Sequence, residues 1–595
     1  MTKSIFIATT EPYSGKSLVA LGLVNLLLGK TKRIGYFKPI INLDPGEGKD
    51  THIETTINYF NLGLKYEDSY AFTRSQAMKQ MENESQGSMM NTIIRKYKKI
   101  EEDFDFTVIE GSDFLGEGTA FEFDLNLSVA KNLAAPVIVV SSGKDKSTGE
   151  IVSAVLNVLR NFHAREVQVL SVLVNRVRSE QLEDVRQLLS TTVNSGIILG
   201  VIPEDKALSS PSMKEILENL DGDLLIGEQQ LNNPVDNFVI GAMNVPNFLS
   251  FLKENVLIIT PGDRGDMIIA ALQANLSASY PKVAGIVLTA GYQLEEPIIR
   301  LLKGLETVIP IIYVQTGTFE TSQKIGAIKS RITPDNHKKI QLAISIFEKS
   351  VDLQALDQKI VTFTSEGITP HMFQYQLAKW AKKKIKHIVL PEGNDERILK
   401  ATARLVTEEV VTLTLLGDPK EIALSVKRLG LSLDLSRIRI INPAQSEYYE
   451  DYVNTLYELR KNKSVNQEMA RDLMTDVSYF GTMMVYKGHA DGMVSGACHT
   501  TQHTIRPALQ FVKTKPGTSI VSSIFFMCLP DRVAVFGDCA VNPNPTAEQL
   551  AEIAISSADS SLRFGIEPRI AMLSYSSGTS GEGADVEKVR LATEI

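Results

Sequence analysis

The run Thr9-Thr10-Glu11-Pro12-Tyr13-Ser14-Gly15-Lys16-Ser17 links an apolar stretch, IFIAT, to a helical pattern, SLVALGLVNLLL. Backbone N–H groups at the head of a helix attract anions, a lysine adds a mobile positive charge, and a hydroxyl can hold a metal ion, so this junction has the parts of a phosphate site. The strict phosphate-loop spacing asks for glycine where Thr10 stands, and Gly-Lys-Ser is also how an ordinary capped helix begins; both readings stand at this point. Lys38 in GYFKPI and Glu110 in FTVIEG close two further apolar stretches. A strand-end lysine and a carboxylate converging on such a loop would serve as charge-compensated phosphate and metal ligands. Toward the other end, Ser574, Ser576, Ser577, Gly578, Thr579, Ser580 and Gly581 follow the apolar run IAML. They could form a donor-rich loop at a sheet crevice or a plain strand-to-helix turn.

Some residue types that often do chemistry lack the necessary company. Cys539 is nucleophile-like only superficially, since the sequence pairs no histidine with it. His499 and His503, four apart in HTTQH, do not make a metal site by themselves. Thr546 before AEQLAEIAISSA has the position of an N-cap, with Pro543 and Pro545 stiffening the approach.

These residues need elements to hold them. Short apolar runs (SIFIAT, RIGYFKPI, FTVIEG, APVIVVSSG, SVLVNRV, GIILGVIP) separated by helix-length segments predict buried parallel strands and an α/β domain over 1–225. The polar stretch GEQQLNNP, 227–234, reads as a linker. FVIGAM, NVLIITPGDR, AGIVLTAG and PIIYVQTG predict a smaller α/β unit over 235–350 that ends in a helix over 335–349. Asp263 or Asp266 is expected to cap the helix after Thr260-Pro261-Gly262. A third α/β unit is expected over 369–595, with strands at HIVLPEG, LTLLG, IRIIN, GMVSG, IVSSIFFM, VAVFGDC and IAMLSYSS. The fold class is therefore α/β in three parts.

Length and composition agree. With 595 residues, the chain is long enough for three or four cores at about 100–200 residues each. Hydrophobic residues at 43% and charged residues at 22% argue against disorder, and the net charge of −8 comes without a block of like charges for nucleic acid or an anionic membrane. Three cysteines without disulfide or metal-ligand spacing point to a reducing compartment. No signal-peptide pattern and no apolar run of spanning length is present, so the expected location is the cytoplasm, with no membrane or nucleic-acid partner.

Three segments carry resemblances. The first, through the loop, Lys38, Glu110 and Asn175 in VLVNRV, resembles the dethiobiotin synthetase-like branch of P-loop ATPases, which tolerates Thr in that loop. The resemblance implies ATP bound through Gly15, Lys16, Ser17, Lys38 and Asn175, with Asn175 near the adenine and magnesium at Ser17, Asp50 and Glu110. A retained fold that serves only as a sensor or structural module is the alternative. The middle segment, through Thr260-Pro261-Gly262-Asp263-Arg264 and Gln315-Thr316-Gly317, resembles the domain named for Asp-Arg-Thr-Gly-Gly and implies regulation or oligomer contact.

The third segment resembles the phosphate acetyl/butyryl transferase family in its long bacterial, phosphate acetyltransferase form. The match runs through Leu390-Pro391-Glu392-Gly393-Asn394-Asp395-Glu396-Arg397, Tyr457-Glu458-Leu459-Arg460, Asp491-Gly492-Met493-Val494-Ser495-Gly496, Thr504-Ile505-Arg506-Pro507 and Asp538-Cys539-Ala540-Val541-Asn542-Pro543. It implies reversible transfer of an acetyl group between coenzyme A, a substrate rather than a bound cofactor, and phosphate, giving acetyl phosphate, in a homo-oligomer. Arg460 and Arg506 match the family's substrate-binding arginines, and a planar guanidinium suits two phosphate oxygens. Butyryl or propionyl transfer, ATP-dependent ligation through Lys16, Lys38 and Glu110, and a non-catalytic nucleotide sensor are the alternatives. The family's proposed base matches a segment beyond Ile595, so the catalytic base is left unassigned and a shortened transfer domain of low turnover is expected unless Asp538 or Glu582 supplies the base. Ser464 stands where the family prefers glycine, a change of modest effect unless the backbone there needs positive φ.

Overall fold

The computed structural model describes residues 4–31, 33–43, 48–83, 86–112, 119–292, 294–304, 308–363, 368–516, 518–529, 532–576 and 580–595. The chain divides into two compact units, 1–365 and 366–595.

The first unit contains two sheets. Strands β1 (Ser4–Thr9), β2 (Ile34–Ile41), β3 (Tyr70–Thr73), β4 (Phe106–Glu110), β5 (Val137–Ser142), β6 (Val169–Val177) and β7 (Ile198–Pro203) form a parallel sheet of order β3-β2-β4-β1-β5-β6-β7. β1, β2, β4 and β5 are buried at every position, as continuous Val/Ile/Phe runs require when helices cover both faces. Helix α1 (Lys16–Leu28) follows β1 and is apolar on most of its circumference. The reason lies far along the chain, where the helix His337–Ser350 lays its buried face, Ile340, Ala343, Ile344 and Phe347, over α1. A Cβ at Gly22 would meet Phe347 Cγ at 2.2 Å, so only glycine allows this approach.

The second sheet comprises β8 (Asp223–Ile226), β9 (Asn237–Ile240), β10 (Val256–Pro261), β11 (Val283–Thr289) and β12 (Ile311–Tyr313), ordered β8-β12-β11-β10-β9 and parallel except for β8. The helix Met213–Leu220 and β8 belong to the middle sheet, where Met213, Ile216 and Leu220 pack with Leu257, Ile259 and Val287. The helix expected to end the middle domain returns to α1 instead, because an all-round apolar helix needs cover on its outer side. The stretch 227–234 is pinned rather than free, with the Asn233 side chain donating to Ala284 O at 3.1 Å. No aspartate caps the helix Gly265–Leu276; Asp266 instead takes the Arg264 guanidinium at 2.8 and 2.9 Å.

The second unit is built on β13 (Lys386–Leu390), β14 (Val411–Leu416), β15 (Arg439–Ile441) and β16 (Gly492–Met493), parallel in the order β15-β14-β13-β16. β17 (Ile524–Cys528) and β18 (Val533–Gly537) form a separate antiparallel hairpin. The strand expected at IAMLSYSS does not form. Among the described residues no strand pairs with it, and Leu573 stays 86% exposed. Thr546 caps the helix Ala547–Arg563 in a reciprocal capping box with Gln549, as its position predicts. No helix among the described residues is long and apolar enough to cross a membrane.

Candidate functional sites

In the first unit, Gly15 adopts φ 88° and ψ 32° at the head of α1, a left-handed turn that aims the following N–H groups along the helix axis. A Cβ on Gly15 would lie 1.9 Å from Asn175 Nδ2, which donates to Ser14 O at 2.9 Å. Asn175, expected near an adenine, thus clamps the loop backbone.

The charged residues converge on Glu110 at the end of β4, which is 0% exposed. Lys16, 4% exposed, lies 3.3 Å from Glu110 Oε1 and donates to Gly111 O at 2.7 Å. Lys38, 1% exposed, donates to Asp50 Oδ2 at 2.8 Å and lies 3.6 Å from Glu110 Oε1. The other Asp50 oxygen caps helix α2 (Thr51–Phe60), accepting from His52 N at 3.0 Å and Ile53 N at 3.2 Å. Tyr36 donates to Glu110 Oε2. Burial alone would push the Glu110 carboxyl up, but the His52 ring, Lys16 and Lys38 together hold it well below the usual carboxylate range. Burial, reinforced by the Glu110 charge, pushes the Tyr36 phenol well up.

His52 and Tyr36 were not singled out in the sequence. His52 Nδ1 lies 2.6 Å from Glu110 Oε1 and its Nε2 lies 2.9 Å from Ser17 Oγ, so the ring spans two of the residues expected to hold magnesium. Ser17, Asp50 and Glu110 are therefore near one another but already engaged, and in this arrangement they do not fit the ion. The only advance sign of His52 was its place beside a helix-capping aspartate, which is also an ordinary helix start.

In the second unit, Arg460 ends the helix Tyr449–Arg460, and Arg506 lies on the helix Thr501–Pro507. Both act electrostatically on one phenol, Tyr479: burial pushes it up, and the two guanidinium groups oppose the shift. Tyr479 donates to Gln510 Oε1 at 3.1 Å, and Arg460 Nη1 donates to Gln510 O at 3.3 Å. Arg460 Nε is buried with no hydrogen-bond partner among the described residues, and Arg506 is exposed.

A second feature of this unit was present in the sequence without a role. Glu392, just after β13, is 5% exposed, and its carboxylate accepts from four successive backbone N–H groups after β16: Gly496 at 2.9 Å, Ala497 at 2.8 Å, Cys498 at 2.7 Å and His499 at 2.8 Å. Burial would push its carboxyl up, but these N–H groups bring it down to about 2. The anchored loop leads into the helix that Thr500 caps and that carries Arg506. The His499 ring is 3.0 Å from Glu392 and stacks on His503 with centroids 4.7 Å apart, while His503 Nε2 is 3.0 Å from Asp476. Glu392, Cys498 and His499 have the donor types of a metal site, but the carboxylate is already filled by N–H groups.

The remaining expected residues are dispersed. Ser574 Oγ donates to Ser576 O and accepts from Ser576 N, each at 3.1 Å, Ser576 Oγ accepts from Gly581 N at 2.8 Å, and Ser580 is exposed. Ser577, Gly578 and Thr579 lie outside the described residues. Asp538 is not placed as a base: its carboxylate accepts from Ser523 N and Oγ, Val541 N and Asn542 N at 2.6 to 3.0 Å. Those bonds outweigh burial and lower its carboxyl. Glu582 is exposed, and its backbone carbonyl takes the Tyr575 hydroxyl at 2.9 Å.

Three family descriptions match consecutive parts of the chain: AAA domain over 3–212, DRTGG domain over 215–328 and phosphate acetyl/butaryl transferase over 372–595. The phosphate acetyltransferase of Synechocystis sp. is 46% identical over 598 aligned residues, spanning 100% of this chain and 86% of the relative. The chain belongs to the phosphate acetyltransferase family. The Nitratidesulfovibrio vulgaris phosphate acetyltransferase is 44% identical, over 100% of this chain and 85% of that one. A solved structure, EutD phosphotransacetylase from Staphylococcus aureus, is 47% identical over 37% of this chain and 67% of its own, with a TM-score of 0.34. As a phosphate acetyltransferase, the chain interconverts acetyl-CoA and phosphate with acetyl phosphate and coenzyme A.

Proposed function

We propose that the second unit binds the anionic substrates of acetyl transfer through Arg460 and Arg506. The observation that carries this reading is the buried, unpartnered Arg460 Nε beside a phenol that both arginines influence. A buried donor left unpaired costs about 1–3 kcal/mol, and a phosphate oxygen would offset it. Coenzyme A and acetyl phosphate are both anions, so bringing the thiol sulfur to the acetyl carbon requires nearby positive charge. As the new C–S bond forms and the C–O bond to phosphate breaks, with the thiol proton ending on the released phosphate, guanidinium groups would stabilise charge on the departing phosphate. Glu392 is a positioning residue in this reading, fixing the loop from which the Arg506 helix starts.

Arg506→Ala is expected to lower kcat/KM for coenzyme A or acetyl phosphate tenfold or more, about 1.4 kcal/mol per decade, with unchanged thermal stability, and Arg460→Ala to behave alike. Steady-state kinetics with both substrates varied makes the test; unchanged constants would remove both residues from the site.

A second reading applies to the first unit. The convergence of Lys16 and Lys38 on Glu110 below a left-handed glycine supports a dethiobiotin synthetase-like phosphate loop that binds a nucleotide or another phosphorylated small molecule as an effector. In this division of labour, about the first 225 residues sense, the middle segment transmits and the segment from 369 catalyses, in a cytoplasmic homo-oligomer. Exposed Phe525, Phe536, Leu573 and Tyr575 support the oligomer, which sedimentation analysis tests directly.

A further inference from the structure

The loop of the first unit meets magnesium's requirements poorly, and the reason is specific. Ser17 Oγ and Glu110 Oε1 are joined through the two nitrogens of one imidazole, at 2.9 and 2.6 Å. Asp50 is spent on Lys38 and on the cap of α2. The pocket beside the ring, lined by Ser17, Tyr36, His52, Thr55 and Thr56 among others, measures about 10 Å³. That is at the lower limit for a single water. Magnesium demands octahedral geometry at about 2.0–2.1 Å and usually keeps several waters, so it cannot enter without moving the ring. It would also stand beside two ammonium groups within 3.6 Å of the same carboxylate, a like-charge arrangement in a buried place. An anion meets the opposite situation, with helix N–H groups and two lysines that can exchange a carboxylate for a phosphate oxygen.

We infer that His52 stands in for magnesium at this loop, so that the first unit takes its phosphate-bearing ligand without a divalent cation. The inference rests on reading the loop as a phosphate site and goes one step further, to the form of the ligand recognised and the residue that decides it. His52 fixes the Ser17 hydroxyl and Glu110 in the separation an ion would otherwise set. The ring thereby makes nucleotide binding at this loop indifferent to magnesium.

The test is calorimetric titration of the full chain with ATP, once in excess magnesium and once in EDTA. Wild-type protein is expected to bind with dissociation constants equal within about threefold in the two buffers, whereas His52→Ala should bind at least about tenfold more tightly with magnesium than without. His52→Gln, which keeps a polar group of similar reach, covers the case in which the alanine variant does not fold, and should show the same magnesium preference once melting confirms its fold. A wild-type protein that gains tenfold from magnesium overturns the inference, as do folded His52 variants that gain no more than wild type. ATP binding by neither protein in either buffer overturns the nucleotide reading of the loop, and this inference with it, so the two failures are told apart.

Discussion

Lys16 and Lys38 in the first unit and Arg460 and Arg506 in the second were all expected to meet phosphate, yet the two pairs are kept in opposite ways. The lysines are buried and turned onto Glu110 and Asp50, with His52 bridging to Ser17. The arginines sit at helix ends, one exposed and one with a donor left unpaired, and the Tyr479 phenol is their shared neighbour rather than a carboxylate. A cation satisfied by its own protein must be drawn off before it serves a ligand, which suits a site that responds to an effector. A cation left partly open needs no such exchange, which suits a site that turns over. The same contrast holds for anions: Glu110 is held down by charges, and Glu392 by four neutral N–H groups.

The contrast is broken most severely at Glu110. Replacing it by alanine removes the carboxylate that both buried lysines, Lys16 and Lys38, approach. Removing one partner of a buried ion pair typically costs about 3–5 kcal/mol. Chemical denaturation of Glu110→Ala should show that loss in the first unit, while the transition reported by Trp380, the chain's one tryptophan and part of the second unit, stays in place. A loss below about 1 kcal/mol would mean that the lysines relax to solvent at little cost and that the cluster is less tightly closed than its burial indicates.

Glu392 sharpens the other half. Its folded-state value of about 2, against an ordinary 4.5, is depressed, so its contribution is present above about pH 4.5 and is lost as pH falls toward 2. At 1.36 kcal/mol per unit, this is about 3 kcal/mol at neutral pH. Glu392→Gln should therefore destabilise the second unit by about that amount at pH 7, and its Trp380 transition should converge with wild type on acidification. A gap that stays constant down to pH 2.5 would show that shape rather than charge holds the loop.

How much of this was legible in the sequence follows from range. Strands β1, β2 and β4 were readable because each is a continuous apolar run, and Lys38 and Glu110 were readable because they sit where such runs end. The return of His337–Ser350 onto α1 was not, since Gly22 and Phe347 lie more than three hundred residues apart and nothing local marks either as the other's partner. His52 was hidden for a related reason: its two contacts come from α1 and β4, and a histidine in the first turn of a helix has no local pattern that separates a bridge from a surface residue. Glu392 stood inside a quoted motif, but its partners are backbone N–H groups, which leave no trace in residue types. At the far end, IAMLSYSS has the composition of a strand, and composition cannot report whether a neighbour is there to pair with it.

The smallest expected effect belongs to Ser464, the position where the family prefers glycine. Here the backbone does need positive φ: Ser464 stands at φ 64° and ψ 26°, closing the short turn Lys461–Lys463 that follows Arg460. In that region a Cβ crowds the following carbonyl, at a cost of about 1–2 kcal/mol for a non-glycine residue. Glycine removes that strain but gives the unfolded chain more freedom, which returns roughly half of the gain. Ser464→Gly should thus stabilise the second unit by about 0.5–1 kcal/mol, read as a later Trp380 transition in denaturant. The turn follows directly on the helix end that presents Arg460, so relaxing it also tests whether the arginine's placement depends on that strain. Unchanged kinetic constants alongside the gain in stability would show that the helix alone positions the guanidinium. A higher KM for coenzyme A or phosphate at constant kcat would show that the strained serine holds Arg460 where the substrate needs it, and that the openness of this site is maintained at some cost in stability.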